Sequence, residues 1–195
     1  MIGELYQRWL AQTRDNAELQ QELTAIENDS AAKEDRFYRE LEFGTGGLRG
    51  VLGAGTNRMN IYTVAKATQG YCRYLYKQFK KPSVAIAYDS RIHSDLFAQT
   101  AAAVFAANGV RVHLYDHLMP TPSLSFAVRD LCCSGGIVLT ASHNPAQYNG
   151  YKVLIHYGSG SAVRSGLIGK VKASLKNYLK QIYHARISYP KRKDQ

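Results

Sequence analysis

The sequence predicts a three-layer α/β/α fold, in which helices cover both faces of a mainly parallel, mixed sheet. Two observations support this prediction. Short apolar runs alternate with helical stretches along the middle of the chain, and strands separated by helices pair in parallel. Glycine, proline and capping residues separate the runs, as they do at the ends of helices and strands. The length of 195 residues, 45% of them hydrophobic, fits one globular domain with appended segments.

The segment before the sheet is predicted to be helical. Apolar residues recur at helical spacing among many charges over residues 4–42, which indicates one or two amphipathic helices. We therefore place a helical lead-in over residues 1–37. The glycines of residues 44–50 end the helical pattern and predict a tight loop with an exposed backbone.

Helices and strands alternate from Asn60 onward. Asn60 is a good cap for the first predicted helix, Ser94 or Asp95 for the second, and Thr121 for the third. Short apolar runs after these helices predict buried strands. The predicted strands are residues 84–88, 110–114 and 136–140.

Two polar segments follow predicted strands. Residues 89–91, Asp-Ser-Arg, come after the first strand, and residues 140–145, TASHNP, begin at the end of the third. Ligands of such sheets bind at the carboxyl ends of the strands, because crossover loops and helix amino termini gather there. We therefore expect the functional site at this edge of the sheet.

Ser142 is the central candidate in the second segment. It has the position of a nucleophile, but its flanks lack the G-x-S-x-G pattern of hydrolases, so acyl transfer loses support. A phosphorylated serine needs cations nearby, because the ester carries about −1.5 to −2 charges at neutral pH. Four candidates lie next to glycines or at predicted strand ends, and their charge favours a phosphoryl group: Arg49, Arg91, His143 and Lys152.

Several segments carry a resemblance to a known family. The hexapeptide TASHNP at residues 140–145 resembles the phosphoserine loop of the α-D-phosphohexomutase family, which includes phosphoglucomutases and phosphomannomutases. FGTGGLRG at residues 43–50 resembles the opening loop of that family, and YNGYKV at residues 148–153 resembles the segment after the serine. The resemblance covers about residues 38–154, the N-terminal phosphoserine domain. GAGTNRMN at residues 53–60 makes the chain most similar to the phosphoglucomutase branch that includes phosphopentose-active members.

The resemblance implies a catalytic role for four matching residues. Ser142 bears the transferable phosphoryl group, and His143 hydrogen-bonds or protonates near it. Lys152 and Arg49 flank the reacting oxygen as acid, base or charge stabiliser. The implied reaction passes the phosphoryl group from the serine to a sugar monophosphate. The bisphosphate then reorients and returns its other phosphate, which moves the group between the 1- and 6- (or 5-) positions of the sugar.

The resemblance also implies binding residues and a cofactor. Arg91 shapes and holds the serine loop, and Arg91, Asn144 and Thr45 bind phosphate or substrate. Mg²⁺ is the implied metal and touches the phosphate on Ser142. The family's aspartate ligands, in a D-x-D-x-D-R motif of a later domain, are missing from this sequence. The implied substrate is a sugar phosphate, and a hexose 1,6-bisphosphate primes the serine.

The charge divides the chain unequally. Residues 151–195 hold 10 Lys+Arg against one Asp+Glu, whereas the preceding residues are nearly balanced. We expect phosphohexomutase domain I over residues 38–157 and a basic, helical tail that departs from the family pattern over residues 158–195. This organisation predicts a truncated chain, inactive or weak alone, whose partners include the mutase domains that it lacks.

Alternatives for the tail are left open by these residues. In one alternative, the chain is a non-catalytic module whose basic tail binds nucleic acid or an acidic surface. In another, the tail mediates self-association or docks on a missing domain. A lysine-rich helix is usually a solvated face, and the tail has no recognised reader motif, so we expect no nucleic-acid partner.

Membrane and disulfide chemistry are not expected either. The sequence has no apolar run of about 18 residues, so we expect no membrane partner and a cytoplasmic location. Cys72, Cys132 and Cys133 show neither CxxC spacing nor an even count. They are expected to be reduced thiols.

Overall fold

The computed structural model describes residues 2–44 and 46–155 of the chain. Over these residues, three helices precede a five-stranded sheet, and three more lie between its strands. The helices are α1 (Ile2–Gln12), α2 (Ala17–Ala25), α3 (Ser30–Phe37), α4 (Ile61–Gln78), α5 (Ser94–Ala107) and α6 (Thr121–Asp130). The strands are β1 (Gly47–Val51), β2 (Ser83–Tyr88), β3 (Arg111–Leu114), β4 (Gly135–Leu139) and β5 (Tyr148–Ile155).

The sheet is mixed and has the strand order β1-β5-β4-β2-β3. Strands β4, β2 and β3 pair in parallel, whereas β5 pairs antiparallel with both β4 and β1. The α/β class with a mixed sheet is therefore confirmed. The three parallel strands are those that the alternation of helices and apolar runs predicts.

Strand β1 corrects the expectation of a loop over residues 44–50. Gly47 lies opposite Lys152 of β5 and has a φ of 141°, in the region that favours glycine. A Cβ atom on Gly47 would lie 2.1 Å from the carbonyl oxygen of Tyr151. Glycine is required here for a close approach of two backbones, so a residue that commonly indicates a loop instead permits an edge strand.

Side chains pack on both faces of the sheet. Val84 and Ile86 of β2 belong to a hydrophobic cluster with residues of α4 and α5. Ala85 and Ala87 belong to a second cluster with residues of α6. Successive side chains of a strand point to opposite faces, so the predicted three layers are present.

The predicted helix starts agree with the structure for α4 and differ for α5 and α6. The Asn60 side chain accepts hydrogen bonds from two amides of the first turn of α4, as its capping role predicts. The residue at the cap of α5 is His93, with a φ of 63° and no side-chain cap bond. Ser94 is the first residue of α5, and its hydroxyl bonds elsewhere. Thr121 likewise begins α6, after Pro120 at the cap.

The lead-in contains three short helices, where the sequence predicts one or two. The side chains of Asn16 and Asp29 cap α2 and α3 and so divide the segment. Glu22 joins the lead-in to the rest of the fold. Its Oε2 accepts hydrogen bonds from Arg36 Nη1 (2.6 Å) and from the amide of Ala54 (3.0 Å).

Three further expectations concern membrane helices, the cysteines and the basic tail. Nowhere in the described ranges is a helix both long and apolar enough to cross a membrane. Cys72, Cys132 and Cys133 are free thiols, as expected. The basic tail predicted over residues 158–195 lies outside the described residues.

Candidate active site

Ser142 lies in the loop between β4 and β5, at the carboxyl end of a buried parallel strand. Its side chain is exposed, and its φ of 58° is left-handed. The Ser142 amide donates a hydrogen bond to the Oγ1 of buried Thr140 (2.9 Å). A non-glycine residue keeps this backbone conformation only where its surroundings hold it. The loop therefore presents the Ser142 hydroxyl to solvent from a fixed backbone.

His143 is adjacent to the hydroxyl. Its Nδ1 lies 3.5 Å from the Oγ of Ser142, at the long limit of a hydrogen bond. The side chain is exposed, so the imidazole and the hydroxyl face the same solvent. The sequence predicted this pairing, and the structure brings the two groups together.

Arg91 holds the serine loop by its backbone. Its Nη2 donates to the carbonyl oxygens of Ser142 and Asn144 (both 2.6 Å), and its Nη1 donates to those of Pro145 and Tyr148 (both 3.0 Å). A guanidinium presents its donors in a rigid planar fork, which suits several fixed acceptors at once. The structure places the predicted loop-holding residue in contact with the loop, through its backbone carbonyls.

Pairing with β5 places Arg49 and Lys152 beside this loop. Arg49 lies opposite Gly150, and Lys152 lies opposite Val138 of β4. Facing residues of antiparallel strands share a face, as do residues two apart on one strand. Arg49, Gly150 and Lys152 therefore share one face of the sheet. The amide of Thr140 donates to the Gly150 carbonyl oxygen (3.0 Å), so the start of the serine loop continues this row.

Arg49 and Lys152 are cations without an acidic partner among the residues that the structure describes. Arg49 is exposed and Lys152 is half-buried. Cations that no carboxylate neutralises raise the local positive potential and attract anions. Both side chains therefore favour a phosphate group at this edge of the sheet.

The other two predicted binding residues have different outcomes. The amide of Asn144 donates to the carbonyl oxygen of Ala141 (3.2 Å) within the loop. Its Oδ1 is buried and has no hydrogen-bond partner among the described residues. An unpaired buried acceptor costs free energy. A donor that enters the site and bonds to this oxygen would therefore remove that cost. Thr45 lies outside the described residues.

Four residues that contact Ser142 or Arg91, directly or through another side chain, were not among the predicted site residues. Thr140 holds the Ser142 amide, and three further polar residues connect to Arg91 from below the loop: Asp89, Ser94 and Asn149. Asp89 and Thr140 are polar residues at strand ends, which is a signal that the sequence does carry. Ser94 and Asn149 meet only in the folded chain.

The described residues do not by themselves fit a Mg²⁺ ion. Among them, no three His, Cys, Asp or Glu side chains cluster where they could hold a metal. The Asp89 carboxylate, at the adjacent strand end, already accepts a hydrogen bond from Ser94 and lies 3.7 Å from the Nε of Arg91. Hard cations such as Mg²⁺ require several oxygen ligands, so a phosphate on Ser142 would supply only part of a coordination sphere.

Known proteins resemble this chain in sequence and in fold. The model of the family "Phosphoglucomutase/phosphomannomutase, alpha/beta/alpha domain I" matches residues 40–181. The match runs past residue 157, into the segment where the sequence predicts a departure from the family, and the boundary there stays a prediction.

Individual relatives agree. The chain is 44% identical to a human phosphopentomutase over 138 residues, and this match covers 66% of this chain and 22% of that protein. It is 48% identical over 128 residues to a Staphylococcus aureus phosphoglucomutase, which covers 66% and 23%. A solved structure of a candidate phosphomannomutase from Thermus thermophilus matches with a TM-score of 0.62 and 32% identity, over 72% of this chain and 30% of that one. The chain spans about a quarter of the length of such curated relatives. It belongs to the phosphoglucomutase/phosphomannomutase family and carries that family's α/β/α domain I.

Proposed function

We propose that Ser142 is the phosphoryl carrier of a phosphosugar mutase, and that this chain supplies the phosphoserine domain. One observation carries the proposal: an exposed hydroxyl on a fixed left-handed turn, at a sheet edge whose cations Arg49 and Lys152 have no acidic partner among the described residues. Phosphoryl transfer depends on positioning and on stabilising charge, with little covalent work for other side chains. The arrangement at the carboxyl end of β4 meets both needs.

The transfer is balanced when a sugar bisphosphate is the donor. The Oγ of Ser142 attacks phosphorus, the bond between that phosphorus and the sugar oxygen breaks, and a sugar monophosphate leaves. His143 takes the hydroxyl proton, since its Nδ1 lies 3.5 Å from the Oγ. Lys152 protonates the departing oxygen, and Arg49 stabilises the charge on the phosphoryl oxygens. In the full cycle, charged Ser142 transfers its group to a sugar monophosphate, and the resulting bisphosphate reorients and returns its other phosphate to the serine.

The substrate follows from the relatives only as a class. Their names refer to glucose and to pentose phosphates, so we propose a sugar monophosphate whose phosphate moves between position 1 and position 6 (or 5). For the charging of Ser142, this domain would supply the hydroxyl and the cations beside it. Full turnover would also need the parts of the enzyme that bind the sugar. The predicted Mg²⁺ dependence would likewise require carboxylate ligands from outside the described residues.

The test measures transfer of label from a radiolabelled hexose 1,6-bisphosphate to the intact chain in the presence of Mg²⁺. We expect the chain to take up label and the Ser142→Ala variant to take up none. Ser90→Ala is the matched control, because Ser90 is also an exposed serine at a strand end of the same edge. Label that persists in Ser142→Ala, or an unmodified chain that takes up none, would overturn the proposal.

A further inference from the structure

We propose that Asn149, Ser94 and Asp89 form a hydrogen-bonded relay that positions Arg91 and, through it, the loop of Ser142. This inference rests on the proposed function of Ser142 and assigns positioning residues to it. The relay runs from β5 through the first residue of α5 to the end of β2, and it ends on the guanidinium that holds the serine loop.

Asn149 is the inner end of the relay. It is fully buried, at 0% exposure, so its amide group must find partners within the fold. The Nδ2 atom donates to the carbonyl oxygen of Ile92 (2.9 Å) and to the Oγ of Ser94 (3.0 Å). The Oδ1 atom accepts from the amide of Gly150 (2.7 Å). The two Nδ2 contacts connect β5 with the segment just after Arg91, whereas the Oδ1 contact lies within β5, and none is explained by helix or strand pairing.

Ser94 transmits this contact to Asp89. Its hydroxyl has one proton, and because the oxygen accepts from Asn149, that proton is free to be donated to the Oδ1 of Asp89 (2.9 Å). The amide of Ser94 also donates to the carbonyl oxygen of Arg91 (3.0 Å). Ser94 is fully buried, and so is its contact with Asn149, whereas its contact with Asp89 is partly buried. The Oγ also lies 3.5 Å from the carbonyl oxygen of Leu139, at the long limit of a hydrogen bond.

Asp89 receives the relay and orients Arg91. Its Oδ1 accepts from the Arg91 amide (3.1 Å), and its Oδ2 lies 3.7 Å from the Arg91 Nε. With Nε directed at the carboxylate, Nη1 and Nη2 face the four loop carbonyls. One carboxylate therefore fixes both the backbone and the side chain of Arg91.

Catalysis depends on this geometry because a small misplacement of a reacting group costs much of the rate. One of the two shortest loop contacts is from Arg91 Nη2 to the carbonyl oxygen of Ser142 itself (2.6 Å). Without the relay, the Arg91 side chain could adopt other rotamers. Ser142, the proposed carrier of the phosphoryl group, would then be held less firmly. The fold would survive, since the relay adds no hydrophobic contact to the core.

The experiment compares Ser94→Ala and Asp89→Asn with Ser134→Ala. Ser134 is a matched control, because it is also a buried serine whose Oγ accepts a bond, from the Ser83 amide (3.2 Å), at the opposite end of the sheet. Two readouts are taken on the full chain: hydrogen exchange of the amides of residues 142–148, and transfer from a hexose 1,6-bisphosphate to Ser142 over a range of donor concentrations.

We expect both relay variants to exchange the loop amides about tenfold faster and to transfer about tenfold more slowly at saturating donor, which matches the loss of about one hydrogen bond. The half-saturating donor concentration should stay within about twofold of the unmodified chain, because the relay does not touch the donor. Ser134→Ala should change neither readout.

The two proposals fail separately. If loop exchange in Ser94→Ala equals that in Ser134→Ala, the relay is overturned whether or not Ser142 takes up a phosphoryl group. If loop exchange rises while transfer stays unchanged, the relay does not position Ser142 for catalysis, and the inference is also overturned. If the unmodified chain takes up no phosphoryl group, the proposed function fails, and loop exchange alone then decides whether the relay holds the loop.

Discussion

Arg91 shows how one residue fixes the candidate site. Its two terminal nitrogens hold four carbonyl oxygens of residues 142–148, while Asp89 holds its Nε side. The side chain is mostly buried, with 14% exposure. Hydrogen bonds from a charged donor in such surroundings contribute more than those on an open surface.

Arg91→Lys is predicted to destabilise the chain although it keeps the charge. A lysine has a single nitrogen and cannot reach four acceptors in fixed positions. We expect the free energy of unfolding to fall by about 1–3 kcal/mol, measured by urea denaturation. Arg129→Lys is the control, because Arg129 is exposed and its side chain makes one bond, to the Ser125 carbonyl oxygen (3.3 Å). Equal losses in the two variants would show that the Arg91 contacts contribute little.

At the scale of elements, β1 is the strand on which the site depends and which the sequence did not predict. It is the edge strand of the sheet and carries Arg49. Its pairing with β5 requires the backbone of Gly47 to lie against that of Tyr151. The position of Arg49 therefore depends on a residue that has no side chain.

Gly47→Ala is predicted to disrupt this pairing. The new Cβ would lie 2.1 Å from a backbone oxygen, at a φ of 141° that side chains rarely adopt. We expect a loss of more than about 2 kcal/mol in the free energy of unfolding. Gly46→Ala should cost less than about 1 kcal/mol, because a Cβ there meets no atom within 4 Å. Thermal or urea unfolding of both variants provides the comparison, and a small loss for Gly47→Ala would contradict the close strand pairing.

Local patterns explain which elements could be predicted from the sequence. Strands β2, β3 and β4 are short apolar runs between helices, and their signal is contained within a few residues. The start of α4 could be predicted because the Asn60 cap acts within one turn. The predicted cap of α5 was wrong because the Ser94 hydroxyl bonds to Asp89 instead of to an amide of its own helix.

In the site, too, contacts between neighbours in the sequence could be predicted, and contacts between distant residues could not. Ser142 and His143 are neighbours in one motif, so their contact could be predicted. Ser94 and Asn149 are 55 residues apart in the sequence and meet only when β5 has paired with β4. No local pattern carries that contact, which is why the candidate serine could be predicted from the sequence and the contact between Ser94 and Asn149 could not.

At the scale of the whole molecule, burial separates the three thiols of the chain. Cys132 is exposed, whereas Cys72 and Cys133 are buried. Burial raises the pKa of the Cys72 thiol to about 12, and it also raises the pKa of Cys133. The folded chain therefore resists ionisation of both buried thiols.

Stability is predicted to fall in alkaline solution for this reason. A pKa that is raised in the folded state contributes stability that is present below the ordinary pKa of 9.0 and is lost as the pH rises toward about 12. At pH 11, Cys72 alone should lower the free energy of unfolding by about 2–3 kcal/mol relative to pH 8. Cys72→Ala should remove that part of the pH dependence, and Cys132→Ala should leave it unchanged. Identical pH slopes in Cys72→Ala and the unmodified chain would contradict the effect.

The most direct test of the phosphoryl-carrier role is a mass measurement on the peptide that contains the serine. After incubation with a hexose 1,6-bisphosphate and Mg²⁺, cleavage after Arg129 and Lys152 yields a peptide with three serine or threonine hydroxyls, those of Ser134, Thr140 and Ser142. The prediction is a gain of one phosphoryl group, with fragment ions that assign it to Ser142. An unchanged mass, or a phosphoryl group on Ser134 or Thr140, would contradict the account.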